Sequence, residues 1–182
     1  SVLSELNSLH VSQASSAGDV AYMGYRRSLV LVDGRTFVMI DGQIVELDDH
    51  GNIVQQVSLE ELGLASGEAI HAFSDRLLLV GSSGVTSLAV AVGLDLSLIQ
   101  SNELLSDNLS HISVSGSERY LCVASMGYGV GPVNLQQLNA DGSVRWSVAL
   151  AGQPLHQELA YTLSSGDDCY FSAPFASQTS VE

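Results

Sequence analysis

The sequence predicts an all-β chain of four-stranded antiparallel sheets repeated about every 45 residues, a β-propeller arrangement. Two observations carry this. Short apolar segments recur at nearly even spacing, and turn-centred hairpin segments recur out of phase with them. Tyr25-Arg26-Arg27-Ser28-Leu29-Val30-Leu31-Val32-Asp33 matches Phe73-Ser74-Asp75-Arg76-Leu77-Leu78-Leu79-Val80-Gly81. That segment in turn matches Ser117-Glu118-Arg119-Tyr120-Leu121-Cys122-Val123-Ala124-Ser125, and a fourth copy runs from Ser164 to Ser172. Counted from Tyr25 to Phe73, Arg76 to Arg119 and Cys122 to Cys169, the successive offsets are 48, 43 and 47 residues.

The second signature reads strand, tight turn, strand. It is seen in Val45–Val54 around Asp48-Asp49-His50-Gly51-Asn52 and in Gln136–Trp146 around Asn139-Ala140-Asp141-Gly142-Ser143. Ala89–Leu98 is a degenerate middle copy. Glycine suits such turns because it takes positive φ without a Cβ clash. The flanking segments alternate or run apolar over about five residues, which is strand behaviour. For the first unit the strands are expected at Ser28–Val32, Thr36–Ile40, Gln43–Asp48 and Asn52–Leu59. Connections fall at Glu60–Ala69 and Ser101–Ser110, with at most one helical turn at Glu60-Glu61-Leu62. A sheet that is apolar on both faces is stable only when stacked between neighbours.

The blades are placed at about 20–60, 68–104, 110–150 and 157–182, the last incomplete. Two arrangements fit an incomplete blade. The chain is part of a larger ring whose further blades lie in another chain or a missing segment, or Val2–Leu9 supplies the outer strand that closes a small ring. The scarcity of β-branched residues in the amino-terminal segment favours the first.

Leu138-Asn139-Ala140-Asp141-Gly142-Ser143-Val144-Arg145-Trp146 resembles the turn-then-tryptophan pattern of quinoprotein-like (PQQ-type) bacterial propellers. In that family the tryptophan packs between adjacent blades, which implies the same place for Trp146. Gln55 and Gln100 stand at the corresponding positions of the other units. The resemblance extends to the fold, and no cofactor is assigned from it.

Composition narrows the function. The 182 residues are 46% hydrophobic and 14% charged, enough for a packed core. Six basic residues, all arginine, stand against twenty acidic ones, giving a formal charge of −14. This excludes a cationic face for nucleic acid or for an anionic membrane. No run approaches the ~20 apolar residues of a membrane-spanning helix. The first basic residue is Arg26, so no basic n-region of a signal peptide precedes it. The lysine-free, acidic, serine-rich composition favours an extracellular or periplasmic setting. Cys122 and Cys169 fall at equivalent strand positions of neighbouring blades, and sheets packed ~10 Å apart predict two free thiols.

Candidate binding residues are His71, His111 and His156, which sit before or at the start of inner strands lining a central channel. Tyr128, at the tip of Gly127-Tyr128-Gly129-Val130-Gly131-Pro132, and nearby Met126 form a candidate recognition loop. No Gly-x-Ser-x-Gly elbow occurs, so no catalytic residue is assigned. The acidic turns lack the terminal glutamate of a calcium loop, since Leu59 holds that position counted from Asp48, so no metal is assigned. The expected function is a non-catalytic module binding a protein or surface glycan through its loops. The alternative is part of a propeller enzyme, a hydrolase or a quinoprotein-like oxidoreductase, whose channel site would draw on His71, His111, Asp75 and Asp167.

Overall fold

A computed structural model describes residues 28–104, 111–126, 133–150, 161–165 and 167–172. Every regular element among them is a strand. The first sheet comprises β1 (Leu29–Val32), β2 (Arg35–Ile40), β3 (Gln43–Leu47) and β4 (Ile53–Ser58). The second comprises β5 (Ser66–Ala72), β6 (Arg76–Ser82), β7 (Ser87–Gly93) and β8 (Leu98–Glu103). The third comprises β9 (His111–Gly116), β10 (Tyr120–Met126), β11 (Val133–Asn139) and β12 (Val144–Leu150). A two-stranded fourth sheet holds β13 (Tyr161–Ser165) and β14 (Asp168–Ser172). Each sheet is an antiparallel meander in chain order, and the first strands of successive sheets lie beside one another. First strand at the axis and fourth strand at the rim is the layout of propeller blades.

The outer hairpins show why the segments repeat. In all three complete sheets a β-bulge falls at the same register, between Glu46 and Leu47, Ala91 and Val92, and Gln137 and Leu138. The turns beyond share one hydrogen-bond pattern: Asp48 N–H to Asn52 O, Gly93 N–H to Ser97 O and Asn139 N–H to Ser143 O, at 3.0, 2.8 and 2.9 Å. The fourth residue of each turn has positive φ, at 79° for Gly51, 62° for Leu96 and 80° for Gly142. Leucine is disfavoured in that conformation. Burial of the Leu96 side chain in the core between the first two blades offsets the strain. The middle copy is thus degenerate in sequence and regular in structure.

Both faces of the second blade are covered. Leu77 and Leu79 join Phe37, Ile44, Leu59 and Val92 on one side. Leu78 and Val80 join Val114, Leu121, Val123 and Leu138 on the other. The unbroken apolar run of β6 is the signature of a strand buried on two faces. Outer strands β4, β8 and β12 are largely exposed and accordingly polar or mixed.

Three expectations need correction. The segments at 73–81, 117–125 and 164–172 centre on second strands β6, β10 and β14, whereas 25–33 runs into first strand β1. The first match is therefore displaced by one strand, because apolar β1 resembles apolar β6 and one-sequence matching reads composition before topology. The connection into the second blade is correspondingly shorter, since β5 begins at Ser66. Finally, Cys122 and Cys169 are not free thiols but a disulfide, with Cα atoms 5.8 Å apart. The ~10 Å spacing applies to sheets separated by large side chains. Here the facing positions are small, and the Ser113 hydroxyl oxygen accepts the Thr162 backbone N–H at 2.8 Å, so the blades converge near the axis. The Val2–Leu9 strand lies outside the described residues.

Candidate functional site

The end of the fan bearing the first and third turns of each blade concentrates the polar groups. Two-residue turns join the first and second strands: Asp33-Gly34, Ser74-Asp75, Glu118-Arg119 and the turn ending at Asp167. Each brings one carboxylate to the same end of the axis, and all four residues are exposed. The outer turns add Asp48, Asp95 and Asp141.

Asp75 and the three outer-turn carboxylates are engaged locally. Asp48, Asp95 and Asp141 accept N–H groups within their own turns, from Asn52 at 2.8 Å, Ser97 at 3.1 Å and Ser143 at 2.9 Å. Side-chain bonds donated by Asn52 Nδ2, Ser97 Oγ and Ser143 Oγ, and after them these backbone bonds, hold the three carboxyls below the usual aspartate value. Asp75 is lowered by its hydrogen bonds from Arg76, 3.0 Å at Nε and 2.6 Å at Nη2. Glu46 is lowered by a bidentate pair with Arg35, 2.7 Å on each arm. A carboxyl whose folded-state value is depressed stabilises the fold above its unfolded value and loses that contribution as pH falls through the folded value. The contribution of these carboxyls should accordingly be complete above pH ~5 and decline below it, as urea midpoints measured from pH ~5 downward would register. A midpoint that rose on acidification would contradict the assignment.

The same end is stitched from blade to blade by side chains that donate to turn carbonyls of the next blade. Arg35 Nη2 and Gln55 Nε2 reach the Leu94 carbonyl at 2.8 and 2.7 Å. Asn102 Nδ2 reaches the Asp141 carbonyl at 3.0 Å. Gln137 Nε2 reaches the Asp167 carbonyl at 2.8 Å. Gln137, fully buried, also accepts Arg145 Nη1 at 2.7 Å and Trp146 Nε1 at 2.9 Å through Oε1, while the Arg145 guanidinium lies 4.3 Å from the Tyr120 ring centroid. Trp146, Gln55 and Gln100 do occupy equivalent positions, each next to the repeated bulge. Glu46 and Gln137 also share a register, and the sequence signal for both was a polar residue at an otherwise apolar third-strand position.

His71 is buried in β5 with its Nε2 3.0 Å from the Ser117 carbonyl and its ring edge-on to Phe73, centroids 4.8 Å apart. Its imidazole packs so closely on Gly116 that a Cβ there would overlap it. His111 opens β9 opposite Met126, which ends β10. His71 shares its register with Ser115, through the pairs His71–Leu78 and Ser115–Cys122. That places it about four residues, roughly 13 Å, along the strand direction from His111. His71 therefore stands near the turn end of its first strand, and His111 at the opposite end of its own. Asp75 and Asp167 lie at the turn end, the latter 3.9 Å from Arg119. Tyr128 and His156 lie outside the described residues. Among the described residues no group of three or more His, Cys, Asp or Glu has metal-site geometry.

Meanders stacked through their first strands, with stitched turns at one end, define the module as propeller-type. No family profile and no curated protein sequence matches the chain. Among solved structures it is similar to the WD40 domain of Neurospora crassa Pan2, with 12% identity, TM-score 0.48, and coverage of 90% of this chain and 48% of that one. It is also similar to a structure described as the eukaryotic initiation factor, with 13% identity, TM-score 0.45, and coverage of 64% and 29%. The chain spans less than half the length of either. The fold assignment rests on the sheets, not on these likenesses.

Proposed function

We propose that the chain is a non-catalytic propeller module that binds a protein, or a surface glycan, through its turn and loop surfaces. The observation that carries this reading is the use made of the potential catalytic groups. His71 bonds a neighbouring blade's turn, Asp75 pairs with Arg76, and Asp167 lies beside Arg119. Meanwhile Asp33 and Glu118 add exposed carboxylates at the same end of the axis, in a chain of formal charge −14. A cationic protein face is the favoured partner, recognised with strong salt dependence. The Tyr128 loop, with Met126 and His111 at its base, is a second candidate contact. The disulfide supports an oxidising compartment, extracellular or periplasmic. The resemblance to quinoprotein-like bacterial propellers rests on the Leu138–Trp146 segment.

The test is binding of an arginine-rich peptide to the immobilised chain at about 50 and 500 mM salt. Affinity should fall at least about tenfold across that range. Absent or salt-insensitive binding would remove the electrostatic reading. Stoichiometric metal in the purified chain would favour the channel-enzyme alternative.

A further inference from the structure

The three interfaces between successive blades are built differently. The first pair buries Phe37, Ile44, Leu59, Leu62, Ile70 and Leu79 among others, and the second pair is similarly rich. Among the described residues, the apolar cluster between the third and fourth sheets has Ala124 and Val133 as its buried members, with Leu135, Leu150 and Phe171 half-buried. Leu163 and Tyr170 of the fourth sheet point away, 59% and 53% exposed. The described residues of this interface are also joined by polar and covalent links: the Ser113–Thr162 bonds, the Gln137–Asp167 bond and the Cys122–Cys169 disulfide. Cys122 is 1% exposed, in the middle of β10.

We infer that the Cys122–Cys169 disulfide, rather than apolar packing, retains the β13–β14 sheet on the third blade, so that its reduction undocks this sheet while the first three blades stay folded. In that step a dithiol supplies two electrons and two protons. The S–S bond breaks, two thiols form, and the reductant closes to its own disulfide. The two cysteines are 47 residues apart, and loop closure over that length favours the docked state on the order of a thousand-fold.

Hydrogen exchange read by mass spectrometry on the full chain, oxidised and after dithiothreitol, tests this. The gain of two hydrogens in intact mass verifies reduction. Exchange across 161–172 should accelerate by two to three orders of magnitude. Segments 76–82 and 87–93 should keep their protection. Because burial of Cys122 slows attack by thiols, the doubly substituted Cys122→Ala, Cys169→Ala chain is labelled in parallel and should show the same pattern. Unchanged protection across 161–172 in the doubly substituted chain would overturn the inference. So would uniform loss of protection across all blades.

Discussion

Leu78→Ala and Leu79→Ala should each destabilise the chain by about 3 kcal/mol, although the two side chains point to opposite faces of one strand. Both are fully buried, Leu78 against the third blade and Leu79 against the first. Each truncation removes most of a leucine side chain from water-free packing and leaves a void that the pleated neighbours close only in part. The pair is informative because a sheet with one solvated face would register one loss and tolerate the other. Urea denaturation should give comparable midpoint shifts for both, with thermal midpoints lowered by about 6–12 °C. A loss below about 1 kcal/mol for either would mean that its face is not a blade interface.

Gln137→Ala should cost a similar amount, about 3 kcal/mol, for a different reason. The amide is fully buried and serves four partners at once, the Asp167 carbonyl, Cys169 Sγ, Arg145 and Trp146. Removing it strands the Asp167 carbonyl and the half-buried Trp146 indole N–H, while exposed Arg145 recovers its hydrogen bonds from water. An amide-sized void adds to the loss. Gln137→Glu keeps an acceptor for Arg145 and Trp146 but sets a carboxylate oxygen against the Asp167 carbonyl. It should therefore weaken the fourth sheet selectively, visible as faster exchange at 167–172. A chain with Gln137→Ala as stable as the parent would show that solvent substitutes for the amide and that the hub is incidental.

Much of the fold was legible because its causes are local. Strand limits in the first blade follow from Asp33-Gly34, Asp41-Gly42 and His50-Gly51, where the turn residues dictate the break. The leucine run of β6 announces burial on both faces without any knowledge of its neighbours. The shift of the first repeat by one strand arose where that logic is weakest, since β1 and β6 are both short apolar segments flanked by arginine. The disulfide was missed because inter-sheet spacing depends on which residues face each other. Only the structure pairs Ser113 with Thr162. The candidate site was less legible still. Histidine positions along a strand depend on register, and the one-residue pairing of His71 with Leu78 carries it into a blade contact. Glu46 and Gln137 were readable in principle, as polar residues at a repeated core position, but their partners are contributed by other strands and blades.

Successive sheets stack face to face, with the middle one covered on both sides. Methyl-directed nuclear Overhauser spectra of the full chain measure this most directly. Leu77 and Leu79 methyls should correlate with Phe37 and Ile44, and Leu78 and Val80 with Val123 and Leu138, with the two sets kept separate along β6. All four residues correlating with a single neighbouring sheet, or one set showing no inter-sheet correlation, would contradict the stacked arrangement.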